Sequence, residues 1–142
     1  MIARVIPFAV ILVSLAFAAC GEEDEGRIEF PEEALLQARS ENGSLWLELR
    51  SSPQPPEQGT NHFEAFIVRA QGYAPVTGLD LEVEPWMPAH GHGSPSSPSV
   101  EELGQGRYLI RNVAFNMAGE WELNIQARGP VEDRFVVELL ID

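Results

Sequence analysis

The sequence predicts an all-β fold: an immunoglobulin-like antiparallel β-sandwich of about seven strands, preceded by a signal peptide and a linker. From Ser44 onward, apolar residues alternate with polar ones, which is the period of half-buried strands. Turns rich in Gly and Pro separate these alternating stretches. Seven short strands in about 100 residues are typical of such a sandwich. A closed β-barrel is the alternative.

The alternation places the strands in order along the chain. They are expected at residues 44–50, 62–70, 79–84, 100–103, 107–114, 121–125 and 135–141. Leu45, Leu47 and Leu49 illustrate the pattern, because they alternate with Trp46, Glu48 and Arg50. The stretch 85–99 is rich in Gly and Pro, and we expect a loop there rather than a buried strand.

Residues 1–19 are predicted to be a lipoprotein signal peptide. Arg4 supplies the positive charge, and the apolar run at 5–19 is shorter than the roughly 20 residues of a membrane span. The run ends at Cys20 in a sequence that resembles a bacterial lipobox, so Cys20 is the predicted lipidation site. An ordinary cleavage site with a coincidental Cys is the alternative. Gly21 in place of Asp favours the outer membrane and the periplasmic side of the envelope.

Residues 20–43 are expected to be the lipidated Cys and an acidic linker, and residues 44–142 the sandwich domain. The acidic run at 22–25 is unlikely to fold alone. Residues 32–39, after Pro31, are predicted to form either a short helix or a partly ordered linker.

The charge and the cysteine content exclude several functions. The net charge is −13, with nine Arg and no Lys, which argues against nucleic acid as a partner. Cys20 is the only cysteine, so no disulfide forms within the chain and no other Cys nucleophile exists. The sequence also lacks a Gly-x-Ser-x-Gly elbow and a phosphate-binding Gly loop, so we expect no enzyme activity.

Scarce metal-binding side chains concentrate in the stretch 86–93. It contains Met87, His90 and His92, while Met117 is the only other methionine after the signal peptide and His62 the only other histidine. Thioether and imidazole donors suit copper better than hard cations. If the strands run up and down the sandwich, the loops after the first, third and fifth strands share one end. That order would gather all five side chains, provided that 100–103 is a strand.

Each of these residues also has an alternative interpretation. His90 and His92 could occupy an exposed loop without binding a metal, and Met87 and Met117 could cover the end of the core. His62 is better interpreted as a solvated residue at a strand end, with metal binding as an additional possibility. Zinc is disfavoured, since structural zinc sites use Cys or three to four His and carboxylate ligands.

Four segments in order resemble a YtkA-like domain of the FixH-related group: 75–79, 87–93, 106–108 and 115–123. The resemblance covers about residue 61 to the C-terminus. It implies a small anchored β-sandwich that handles copper outside the cytoplasmic membrane, with Met87, His90, His92 and Met117 as the copper-binding set. Many members have Met-Pro-x-Met-x-His where this chain has Met-Pro-Ala-His-Gly-His, so one thioether is replaced by an imidazole.

The resulting hypothesis is a copper metallochaperone with Cu(I) favoured over Cu(II). Its partner would be a copper-accepting membrane or periplasmic protein, such as a respiratory oxidase. Two alternatives remain from the sequence: a metal-free interaction module, and a passive surface lipoprotein.

Overall fold

The computed structural model describes residues 26–142, and in this range it contains nine β-strands and no helix. The strands are β1 Leu36–Arg39, β2 Leu45–Ser52, β3 Gly59–Arg69, β4 Asp80–Met87, β5 His92–Gly93, β6 Ser99–Gly104, β7 Arg107–Phe115, β8 Gly119–Arg128 and β9 Asp133–Ile141. The predicted signal peptide at 1–19 and the lipidation site Cys20 lie outside the described residues. Within 26–142, no helix has the length and apolar character needed to span a membrane.

The strands form two antiparallel sheets, which confirms the predicted sandwich. One sheet has the order β1-β2-β3-β7-β6 and the other β5-β4-β8-β9. The seven expected strands correspond to β2, β3, β4, β6, β7, β8 and β9. Their order, β2-β3-β7-β6 against β4-β8-β9, is the ABED and CFG arrangement of a constant-type immunoglobulin domain. The strands β1 and β5 are short additions at one edge of each sheet.

Alternating apolar residues from both sheets form one core between them. Leu45, Leu47 and Leu49 of β2 are fully buried, and so are Leu123 and Ile125 of β8. Aromatic rings fill the core near β3, β7 and β8. The ring centroid of Phe115 lies 6.4 Å from that of Phe63 and 5.3 Å from that of Trp121, in edge-to-face geometry. Such pairs stabilise a core beyond the area that they bury.

The predicted helix at 32–39 is wrong, because its last four residues form β1. β1 pairs antiparallel with β2, with Leu36 opposite Leu49 and Arg39 opposite Trp46. Leu36 and Ala38 are half-buried and alternate with exposed Gln37 and Arg39, which is the strand period. Pairing with the edge of β2 therefore makes residues 36–39 a strand instead of a helix. The five-stranded sheet thus begins within the stretch 20–43 that was expected to be a linker.

The predicted loop at 85–99 also differs from the structure, since β4 continues to Met87 and a two-residue strand, β5, pairs with it. A proline is tolerated at position 85 because the lost N–H is not needed there. The Pro85 carbonyl accepts a hydrogen bond from Ser94 N at 3.1 Å. In an antiparallel strand the N–H and C=O of one residue point to the same side, so the missing donor faces away from β8.

A buried carboxylate joins the two sheets near the start of β2. Asp133, at the start of β9, is 2% exposed and accepts hydrogen bonds from the hydroxyls of Ser40 (2.6 Å) and Ser44 and from the backbone N–H groups of Asn42 and Arg134. Burial alone would raise the pKa of this carboxyl. The hydrogen bonds outweigh that effect and hold the pKa well below its usual value. The β1–β2 turn is thereby fastened to the other sheet.

Candidate metal site at the loop end

A tight turn between β4 and β5 places Met87 directly opposite His92. The Met87 carbonyl accepts hydrogen bonds from His90 N at 3.1 Å and from Gly91 N at 2.9 Å. Gly91 has φ +64°, the left-handed conformation that glycine adopts without steric cost. The register pairs Met87 with His92 and Trp86 with Gly93. Directly opposed residues have Cβ atoms about 5 Å apart on the same face of the sheet, so a thioether and an imidazole are neighbours here.

Met87 is buried in the sandwich rather than exposed in a loop. Its exposed fraction is 3%, because it continues the inward face of Leu81, Val83 and Pro85. The methyl group lies against the backbone of Gly119: a Cβ added there would come within 2.6 Å of Met87 Cε. Gly119 also has φ +132°. The side chain of Met87 therefore occupies the space that the lack of a side chain at position 119 creates.

The two histidines lie at the surface, His90 in the turn after β4 and His92 in β5. Both are exposed, and their ring centroids are 5.7 Å apart with the planes tilted by 53°. His92 Nδ1 lies 3.1 Å from the Gly93 carbonyl oxygen. A hydrogen bond donated from Nδ1 to that oxygen leaves the Nε2 lone pair free, which is the arrangement common in metal-binding histidines.

Met117 lies in the turn between β7 and β8. It is half-buried against the core, and its carbonyl accepts a hydrogen bond from Trp121 Nε1 at 3.0 Å. Gly119, which contacts Met87, is only two residues further along the chain. The predicted gathering of these loops at one end of the sandwich is therefore confirmed, and 100–103 does belong to a strand, β6.

The structure does not bring His62 to this group. Phe63, Ala65 and Ile67 of β3 point into the core, so His62 lies on the outer face of the five-stranded sheet. Its Nδ1 accepts a hydrogen bond from Asn112 N at 3.4 Å. Burial, and secondly the charge of Arg111, lowers the pKa of His62. His62 is half-buried on the outer face of the five-stranded sheet, whereas the hairpin belongs to the four-stranded sheet. We therefore exclude it from the candidate site.

The site has soft donors and few hard ones. Within residues 26–142, no three side chains of His, Cys, Asp or Glu converge in a way that would hold a metal ion. The candidate set of Met87, His90, His92 and Met117 thus depends on sulfur as well as imidazole. Sequence reasoning missed Gly119, which shapes the sulfur side of the site. Extending the alternation of β4 past Pro85 would have predicted that Met87 is buried.

The comparisons with known proteins place the chain in a family. No curated protein and no solved structure matches it. The family model described as YtkA-like matches residues 42–126, which is more than half of the chain and includes strands β2 to β7 and most of β8. The matched stretch contains Met87, His90, His92 and Met117. The chain therefore belongs to the YtkA-like family.

Proposed function

We propose that this protein is a lipid-anchored, extracytoplasmic copper-binding protein that holds one copper ion at the loop end of the sandwich and passes it to a partner protein. The observation that supports this most is the juxtaposition of Met87 and His92 across a two-strand hairpin, with the Met117 turn packed against the same methionine. Thioether and imidazole donors favour copper over Mg²⁺, Ca²⁺ or Mn²⁺. Lipid on Cys20 would tether the domain to the membrane.

The exposure of the donors supports transfer rather than permanent storage. Met87 would supply a buried donor, while His90 and His92 would supply exposed ones. A recipient could replace the exposed imidazoles first, and the ion would leave by ligand exchange. Thioether sulfur would favour Cu(I), and the two imidazoles would also tolerate Cu(II).

A Cu(I) titration of the protein without its predicted signal peptide, in the presence of a competing chelator, tests the proposal. The His90→Ala/His92→Ala variant should bind at least about tenfold more weakly, since even indirect partners of a metal contribute that much. His62→Ala is the matched control, because it removes an imidazole from the opposite sheet. X-ray absorption of the copper-loaded protein should show both sulfur and nitrogen scatterers.

Two outcomes would refute the proposal. Equal affinity of the double variant and the parent chain would remove the hairpin from the site. Absence of copper binding in the parent chain, combined with retention of a partner in a pulldown, would favour the metal-free interaction module instead. Mass spectrometry of the purified protein tests the lipid on Cys20 independently of copper.

A further inference from the structure

One edge of the four-stranded sheet is only partly paired. In the order β5-β4-β8-β9, β4 has β8 on one side and β5 on the other, but β5 covers only Trp86 and Met87. Along residues 80–85, no strand within the described range 26–142 pairs with this side of β4. The sheet therefore leaves most of one strand edge unoccupied, immediately beside the hairpin that carries His90 and His92.

The open edge presents main-chain groups of Leu81 and Val83. The Pro85 carbonyl points to this side, since it accepts a hydrogen bond from Ser94 N. In an extended strand, the residues two and four positions earlier point their N–H and C=O groups the same way. Among the described residues, neither Leu81 nor Val83 makes a main-chain hydrogen bond on this side. A further strand could therefore form up to four hydrogen bonds with these two residues.

A cleft of about 560 Å³ follows this edge. The two edge residues line one wall, and the opposite wall comes from the serine-rich segment 94–98 and from Val100. Ser96 Oγ accepts a hydrogen bond from Ala114 N of the five-stranded sheet, at 3.2 Å. The segment 94–98 therefore leaves the four-stranded sheet after its first residue instead of continuing β5 along β4, and the cleft lies open beside the edge.

The side chains beside this edge are acidic. Asp80, Glu82 and Glu84 alternate with the edge residues, so all three project from the outer face of β4. Arg128 lies opposite Asp80 and ion-pairs with Glu82 at 2.9 Å. Glu84 has no ion-pair partner among residues 26–142. Since the rest of the lining is serine, proline and aliphatic, one cation stands against three carboxylates and the cleft is negatively charged.

These carboxylates determine which strand fits the edge. On a strand added to β4, alternate side chains would lie directly opposite Asp80, Glu82 and Glu84, with about 5 Å between Cβ atoms. Lysine or arginine at those positions forms favourable cross-strand pairs, whereas a carboxylate there is unfavourable. The acidic run at 22–25 is therefore a poor occupant. A second copy would bring its own acidic β4 edge, and charged edge residues prevent such self-pairing. The edge thus favours a basic segment.

We propose that the open edge of β4 is the docking site for an extended basic segment of the copper recipient, which adds as a strand in line with β5. Addition of a strand to an exposed sheet edge is a common mode of peptide recognition. Because β5 contains His92 and continues this edge, the bound segment would end beside the copper-binding hairpin. The assignment of the segment to a copper recipient rests on the proposed function, whereas strand addition at the edge does not.

The acetylated and amidated peptide Lys-Val-Lys-Val-Lys tests strand addition to the copper-free protein without its predicted signal peptide. At saturating peptide, amide hydrogen exchange measured by NMR should slow several-fold at Leu81 and Val83. A peptide of the same charge with both Val nitrogens methylated cannot donate to the edge. It should bind at least about tenfold more weakly, since two hydrogen bonds are lost. Equal binding of the two peptides, or unchanged exchange at Leu81 and Val83, would overturn the proposal.

Charge variants separate pairing at the edge from attraction by the net charge. Asp80→Asn/Glu84→Gln removes two carboxylates beside the edge and should weaken binding of the peptide roughly fivefold. Glu120→Gln/Glu138→Gln is the matched control, because it removes two exposed carboxylates from β8 and β9. Equal weakening by the two pairs would refute the edge site. Slower exchange at Leu81 and Val83 with rising protein concentration and no peptide would identify a second copy as the occupant, and would also refute it.

The docking site and the copper site can be tested apart, because the peptide assay contains no copper. Loss of peptide binding in a protein that binds Cu(I) normally would refute docking alone. A protein that binds the peptide but no Cu(I) would support strand addition at the edge of β4, and it would overturn the assignment of the segment to a copper recipient.

Discussion

The contact between Met87 and Gly119 makes a sharp prediction about both stability and the copper site. In Gly119→Ala, the new Cβ would lie 2.6 Å from Met87 Cε, at a backbone φ of +132°. The unfavourable φ costs about 1–3 kcal/mol. Overpacking in a filled core adds about 1–3 kcal/mol, at the lower end here because the methyl group ends a flexible side chain. We expect a total loss of about 2–4 kcal/mol in the free energy of unfolding.

Gly59→Ala is the control, because it isolates the backbone contribution. Gly59 lies at the same end of the sandwich, opposite Phe115, and has φ +104° with open space around it. Both variants should be measured by chemical denaturation. The excess loss in Gly119→Ala should disappear when Met87 is also truncated to Ala, since the clash then has no partner.

The same variant should change the metal site. Displacement of Met87 removes a sulfur donor, so X-ray absorption of the Cu(I)-loaded Gly119→Ala protein should show fewer sulfur scatterers than either the parent or the Gly59→Ala protein. The reasoning fails if Gly119→Ala and Gly59→Ala lose equal stability and both keep the sulfur signal of the parent. In that case Met87 would have room to spare, and its position would not depend on Gly119.

Three further predictions follow from single contacts. Met87→Leu conserves volume, so unfolding should change by less than about 1.5 kcal/mol, while Cu(I) affinity in the chelator competition should fall because the sulfur is lost. His62→Ala should leave Cu(I) affinity unchanged, and a decrease would return this residue to the site. Asp133→Asn should lose about 3 kcal/mol by denaturation, since buried donors lose a charged acceptor. Because the pKa of Asp133 is depressed in the folded state, its carboxylate stabilises the fold above about pH 4, and this stabilisation is lost as the pH falls through the folded pKa. In Asp133→Asn, the free energy of unfolding should therefore depend less on pH in the acidic range.

Alternation along the chain was sufficient to predict six of the long strands, because each of them has an inward face of large apolar residues. Leu45, Leu47 and Leu49 are an example, and all three are fully buried. The exception is β6, which has no buried residue and in which only Val100 and Gly104 are half-buried. The alternation did not predict the two short strands, β1 and β5. β5 has two residues, and β1 has four that are only half-buried. Both exist because a neighbouring strand offers unpaired N–H and C=O groups, which a local pattern does not reveal.

The sequence also predicted which loops share this end of the sandwich, but not how deeply their side chains are buried. Residue type and strand order were sufficient to predict that the β4–β5 hairpin and the turn that contains Met117 share one end of the sandwich. That Met87, His90, His92 and Met117 form one site stays a prediction. The burial of Met87 depends on Gly119, thirty-two positions away, whose missing side chain leaves the necessary space. Such a contact between distant segments has no signature in either segment alone.

The attachment of the β1–β2 turn to β9 has a consequence for the solubility of shortened chains. β9 is the outer strand of its sheet, and its stretch Phe135–Ile141 includes Phe135, Val136, Val137, Leu139 and Leu140. Glu41 N donates to the Arg134 carbonyl at 2.8 Å and so occupies the beginning of that free edge. A fragment beginning at Ser44 would lack this cover. The β9 edge would then be open from its first residues onward, and edge-to-edge pairing with another copy would be favoured.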